Sequence, residues 1–277
     1  VTGIPVCNLD YEDTINRFGE WIDERSHRYV CVAPVHSMVM GHTSADHRLA
    51  LMNADMNTAD GMPVVWARKL FGDKQATRVY GPTLMLQTIE RGSRDGWRFA
   101  FYGGHEDRIE ILLSNLREMY PDINIVEAIS PPFRQLTDDE VREYRGRLID
   151  AKPDVIWVGI GCPKQERWMR ENSPDIPGVM VGVGAAFDFH AGCLRQAPPI
   201  MQKFGLEWFF RLCCEPRRLF KRYATTNPIY VALVAKQFFF SIFSRQRYVM
   251  ELPERPGFPS AAEASASNDE SRERRAA

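Results

Sequence analysis

The residues of this 277-residue chain with the types and positions to do chemistry stand mostly at the ends of apolar runs. Asp60 is isolated in "NADMNTADGMPVVWARKLFG" (53–72), between a polar loop and an apolar run that reads as helix. Read alone, Asp followed by Gly-Met-Pro suits a helix N-cap, its carboxylate accepting from free N–H groups. Three further runs end in glycine: "FAFYGGHED" at Gly103 and Gly104, "VIWVGIGCPKQERWM" at Gly159 and Gly161, and "MVGVGAAFDFHAG" at Gly182 and Gly184. Glycine lets backbone approach a ligand closely, and a helix N-terminus beyond it offers N–H groups to an anion. Pro163 suits such a first helical position. Three such ends together suggest a phosphate-bearing ligand; the plainer alternative is three tight turns. Arg78, in "ATRVYGPTLM" just before a helix start at Pro82, is the best-placed cation for a departing diphosphate, with a solvated loop charge as its alternative.

Several chemistries find no support. Phe187 stands where "GVGAAF" would need the last glycine of G-x-G-x-x-G, and no Walker A loop occurs, so a dinucleotide-dependent oxidoreductase on this type of fold is disfavoured. The six histidines include no i, i+4 pair and no H-E-x-x-H, and the aspartates form no Asp-x-Asp triplet. No metal and no cofactor is therefore expected; cationic side chains and helix ends would screen a leaving diphosphate.

The elements that must position these residues follow from apolar patterning. "RYVCVAPV" (28–35), "WRFAFYGG" (97–104), "INIVEAI" (123–129), "DVIWVGIG" (154–161) and "GVMVGVGAAF" (178–187) are continuous apolar, branched or aromatic runs, the mark of strands buried on both faces. Between them Ile109, Leu112, Leu113, Leu116 and Met119 fall at helical spacing, and Thr137 with Glu140 forms a capping box opening another helix. The start, "VTGIPVCNLDYEDTINRFGEWI", reads as a strand and then an amphipathic helix, without the pattern of a signal peptide. Alternation of strand and helix predicts an α/β fold, a Rossmann-like parallel sheet sandwiched by helices. Ligands in such sheets bind beyond the carboxyl ends of the strands, where the residues above stand.

Length and a 44% hydrophobic composition suit one large core with an appendage, read as residues 1–200, 201–247 and a disordered tail at 248–277. Six cysteines without CxxC spacing point to a reducing, cytoplasmic compartment. A formal net charge of −1 argues against a nucleic-acid partner. Positive charge is instead local: "FGLEWFFRLCCEPRRLFKRY" gathers Arg211, Arg217, Arg218, Lys221 and Arg222 among aromatics. Arg211, Arg218 and Arg222, at steps of 7 and 4 residues, reach nearly one helical face if Pro216 does not turn the helix far. "PIYVALVAKQFFFSIF" (228–243) is apolar but interrupted by Lys236 and Gln237 and shorter than the ~20 residues needed to span a bilayer. It reads as an interfacial, membrane-docking segment, the alternative being a helical hairpin that completes the core.

The blocks "ADGMPVVWARKLFG", "RVYGPTLM", "FYGG", "VGIGCPKQERWM", "GVGAAFDFHAG" and "GLEWFFRLCCEPRRLFKRY" resemble, in order and spacing over about Val1 to Tyr223, the WecG/TagA/CpsF glycosyltransferases, glycosyltransferase family 26. The resemblance implies a hexosyltransferase that moves an N-acetylmannosamine-type or related sugar from a UDP-sugar to a polyprenyl-diphosphate-linked acceptor, in surface polysaccharide or exopolysaccharide assembly at the inner face of the cytoplasmic membrane. It makes Asp60 the general base of an inverting transfer and Gln165 a substrate contact, with Lys164 and Glu166 beside it. Asp188 would hold a sugar hydroxyl or cap the next turn. Many members carry a Thr-x-Asn element where this chain has Val32, Ala33 and Pro34, leaving His36 or Ser37 to contribute in its place. A non-catalytic nucleotide-sugar-binding protein is the remaining alternative, and the sequence leaves homo-oligomer formation open.

Overall fold

The computed structural model describes residues 1–244; the tail expected at 248–277 lies outside them. Strands β1 (Arg28–Ala33), β2 (Met56–Ala59), β3 (Arg98–Gly103), β4 (Asn124–Ile129), β5 (Val155–Gly159) and β6 (Val179–Gly182) form one sheet in the order β2-β1-β6-β5-β3-β4. Every pairing is parallel. The helices are α1 (Tyr11–Asp23), α2 (Val35–Thr43), α3 (Ala45–Met52), α4 (Met62–Leu70), α5 (Gly81–Asp95), α6 (Glu106–Met119), α7 (Asp138–Ala151), α8 (Lys164–Asn172) and α9 (Ala186–His190), followed by α10 (Pro199–Lys203), α11 (Glu207–Cys214) and α12 (Pro216–Ser244).

The continuous apolar runs have a simple cause. Successive strand residues point to opposite faces, and here both faces are covered. Val155 and Trp157 of β5 join one core cluster with Phe99, Phe101, Val179 and Val181, whereas Ile156 and Val158 join the other with Ala100, Tyr102 and Met180. The capping box forms as its spacing predicts: the Glu140 N–H donates to Thr137 Oγ1 and the Thr137 N–H to Glu140 Oε2.

Several local expectations are corrected. Residues 1–10 form no strand; the Cys7 N–H instead donates to Asn57 O at 2.8 Å, covering the outer edge of β2. Strand β2 carries polar Asn57 and Thr58 at fully buried positions and so lacks an apolar signature; Asn57 Nδ2 donates to Leu51 O at 2.8 Å. The run 123–129 is an edge strand paired only with β3, and most of it is half-buried. On α6, Ile109, Leu112 and Leu116 are buried, Leu113 is partly buried and Met119 is exposed. The strand runs also end earlier than their apolar stretches, because Pro34 opens α2 and Ala185 opens α9.

The C-terminal third is helical, and no helix among the described residues is long and apolar enough to cross a membrane. Helix α12 packs along α2. Leu219 is fully buried, the Tyr230 hydroxyl donates to Pro63 O at 3.1 Å, and the Thr2 N–H donates to Gln237 Oε1 at 2.7 Å. Entry to α11 turns at Gly205, whose φ of +68° suits glycine and where a Cβ would lie 2.6 Å from the Trp66 ring. The backbone therefore sits directly on α4.

Candidate active site

A cavity of about 1040 Å³ opens at the carboxyl edge of the sheet. Its floor is the chain just after four strands: Pro34 to His36 after β1, Asp60 and Gly61 after β2, Gly161 and Cys162 after β5, and Gly184 after β6. Its other wall comes from α11 and α12, through Glu207, Trp208, Arg211, Arg218, Arg222 and Tyr230. Arg78 and Glu207, 129 positions apart, thus face one space. The helical segment completes the site and does not merely cover the sheet.

Asp60 stands just after β2, in the floor of this cavity. Its N–H donates to Ala33 O of the neighbouring strand, and the next residue, Gly61, is the N-cap of α4 with no side-chain cap bond. The N-cap reading of Asp60 is therefore excluded, and the carboxylate is free of a structural hydrogen-bonding duty at the helix end. Burial pushes Asp60 up to about 6; Arg78 and Arg211 draw it down and the Glu207 charge adds to the rise. Some 21% of the side chain remains exposed, all that a reacting hydroxyl requires. A carboxyl titrating near neutrality is matched to general base work.

Arg78 is no solvated loop charge. Its Nη2 lies 2.5 Å from Glu207 Oε2 and 3.5 Å from Asp60 Oδ1, and its guanidinium stacks 4.1 Å over the Tyr80 ring. Its Nε is buried without a partner among the described residues. Two carboxylates thus share one guanidinium. Arg211 lies over Phe189 and Arg222 over Tyr223, while Arg218 Nη2 is 2.5 Å from Glu215 Oε2. A single continuous helical face does not align these three: the chain breaks at Glu215 between α11 and α12, and the convergence is tertiary. Arg217 and Lys221 are exposed and stand outside the cavity lining.

Gln165 and Glu166 open α8 and are 3% and 0% exposed. The Gly184 N–H donates to Gln165 Oε1 at 3.2 Å, and Gln165 Nε2 donates to Glu166 Oε1 at 3.0 Å. Burial raises the Glu166 carboxyl. Gln165 therefore ties the β5 and β6 ends together at the cavity wall. Of the two residues weighed in place of the Thr-x-Asn element, His36 lines the cavity and Ser37 is buried behind it, bonded to His47. Burial, with the Arg222 and His47 charges, lowers His36 to about 4, so it is neutral at physiological pH. Val32 and Pro34 contribute only apolar wall.

Other candidates lie apart. Gly103 and Gly104 end β3, and Gly103 is required by packing, since a Cβ there would be 2.5 Å from the Gly159 carbonyl carbon. Lys164 is exposed, and Asp188 is held by Arg108 at 2.6 Å; none of these four lines the main cavity. Sequence reasoning passed over Glu207 and Tyr80. The signal for Glu207 was its isolation as an acid in the aromatic "GLEWFFRL" stretch; its partner, 129 residues away, was not readable there.

A curated relative from Bacillus spizizenii, named N-acetylglucosaminyldiphosphoundecaprenol N-acetyl-beta-D-mannosaminyltransferase, is 26% identical over 239 residues, 84% of this chain and 90% of the relative. Residues 1–243 match the family described as "Glycosyl transferase WecG/TagA/CpsF family", which spans the whole sheet, Asp60 and the arginine-bearing helices. The chain belongs to this family and is a glycosyltransferase.

Proposed function

We propose that this chain transfers an N-acetylmannosamine-type hexose from a UDP-sugar, with inversion, to the sugar of a polyprenyl-diphosphate-linked acceptor at the cytoplasmic membrane surface. The observation that carries the reading is Asp60, raised to about 6 at the floor of a cavity whose opposite wall holds Arg211, Arg218 and Arg222. Asp60 takes the proton of the acceptor hydroxyl as its oxygen bonds to the anomeric carbon. The bond from that carbon to the UDP oxygen breaks, and the electron pair leaves with UDP. Arg78 is placed to screen the departing diphosphate, after exchanging part of its contact with Glu207.

The acceptor carries its own diphosphate near the bilayer. Arg211, Arg218 and Arg222 suit it, because guanidinium forks bind phosphate in bidentate fashion. The same helices expose Trp208, Phe209, Phe220 and Phe239, with Phe204 just before them, and Arg217 and Lys221 add cationic charge beside anionic headgroups. The relative's name supports the acceptor class and the sugar. No metal is assigned a role in the transfer.

The test is UDP release and product mass with UDP-N-acetylmannosamine and a polyprenyl-diphosphate-linked N-acetylglucosamine, with and without chelator. Acceptor-dependent release that persists in EDTA is expected. Activity lost in EDTA and restored by Mn²⁺ would refute the metal-independent mechanism, and no acceptor-dependent release would refute the substrate pair.

A further inference from the structure

Behind the cavity wall, where α3 packs against α8, three side chains of metal-ligating type meet outside the transfer chemistry: His47, Cys162 and Glu166. One ligand atom from each lies within 4.8 Å of the other two. Cys162 Sγ is 3.9 Å from His47 Nε2, and Ser37 Oγ is 2.9 Å from the same nitrogen. His47 is 2% exposed and Glu166 0%. Glu166 Oε1 accepts from Gln165, but Glu166 Oε2 is buried without a hydrogen-bond partner among the described residues, as is His47 Nδ1. An unsatisfied buried polar atom costs about 1–3 kcal/mol, more for a charged group; the weak Cys162 thiol donor is the neighbouring side chain that the Glu166 carboxyl interacts with, and a cation held between them would serve both better.

We propose that His47, Cys162 and Glu166 form a binding site for a borderline-soft divalent cation of the Zn²⁺ class. Imidazole, thiolate and carboxylate are zinc's characteristic ligands, and calcium or magnesium would not select a thiol. Tetrahedral ligands at ~2.0–2.3 Å from zinc stand roughly 3.3–3.8 Å from one another, so atoms within 4.8 Å must close by up to about 1.5 Å. Cys162 and Glu166 also line the cavity and His47 does not, which leaves a fourth position open on the cavity side for water. Binding exchanges the Cys162 S–H bond for a metal–sulfur bond and releases the proton to solvent. Ser37 gives up its bond to His47 Nε2. The site takes no part in the transfer step and does not rest on the reaction proposed above.

Cobalt is the probe, used with the full chain under a phosphine reductant. The reading expects one Co²⁺ per chain, a tetrahedral visible spectrum with a sulfur-to-cobalt charge-transfer band, and displacement by Zn²⁺. Cys162→Ser should abolish that band, and His47→Gln should weaken Co²⁺ binding at least about tenfold. Exposed Cys193, Cys213 and Cys214 are the competing thiols. A band that survives Cys162→Ser and disappears with Cys213→Ser or Cys214→Ser would overturn the assignment, as would absence of any charge-transfer band. A second measurement needs no variant: in the wild-type chain, one equivalent of Zn²⁺ should slow alkylation of Cys162 at least about tenfold, read by peptide mass. An unchanged Cys162 rate refutes the site.

Discussion

Replacing Asp60 by Asn should abolish most transfer and at the same time stabilise the fold. The carboxyl rises from an ordinary 3.8 to about 6. At 1.36 kcal/mol per pH unit that gap corresponds to roughly 3 kcal/mol. The folded chain holds this proton more tightly than the unfolded chain does. The group's stability contribution is therefore complete below about pH 4 and is lost as pH rises through about 6. Above that, wild type bears the penalty of a desolvated charge and the amide bears none. With 21% of the side chain exposed, solvent screens part of the cost, and about 1–2 kcal/mol is the expected gain of Asp60→Asn near pH 8. Arg78 keeps Glu207 in the variant and is not left unpaired. Loss of a general base costs about 10²- to 10⁴-fold in rate. Urea unfolding of both proteins at about pH 8, 6 and 4 should show the gain shrinking to nothing with acid. Turnover with saturating donor should fall in the variant while UDP binding is kept. Wild-type turnover in the variant would refute the base role, and a stability difference independent of pH would refute the electrostatic account of Asp60.

Wild-type kcat/KM should rise with pH through a limb near the Asp60 value of about 6, read from initial rates across the acid range. Arg78→Ala should weaken UDP binding by calorimetry and move that limb upward, since Arg78 is the leading influence lowering Asp60; an unmoved limb would show that the two groups do not communicate. Arg218→Glu combined with Arg222→Glu should weaken co-sedimentation with anionic vesicles and flatten its salt dependence, since screening at 0.15 M acts over about 8 Å; binding equal to wild type would contradict docking through α12. This variant tests docking better than a cut after Gly205, which would also strip Leu219 and Tyr230 from their packing partners and expose α2.

The parallel sheet was legible in the sequence because strands covered on both faces leave continuous apolar runs, as β1, β3, β5 and β6 did; β4 showed such a run although it is a half-buried edge strand. The sixth, β2, was hidden because it buries polar Asn57 and Thr58: the Asn57 side-chain amide donates to Leu51 O, and the edge beside it is covered by Cys7. Glycines, prolines and the Thr137–Glu140 pair marked helix starts through local backbone chemistry that spacing reveals. Asp60 was conspicuous as an isolated acid.

What Asp60 does was decided by the tertiary fold. Its proton affinity depends on burial and on Arg78, Glu207 and Arg211, and the latter two reach it only because α11 folds back over the carboxyl edge of the sheet. Helical spacing could place Arg218 and Arg222 together but not Arg211, whose helix ends at Cys214 before α12 begins. Likewise His47 and Cys162, 115 positions apart, have no sequence relation and meet through α3–α8 packing. Periodicity along the chain reports which faces are buried; charge pairing, desolvation and ligand geometry depend on distances across it, which only the folded structure sets.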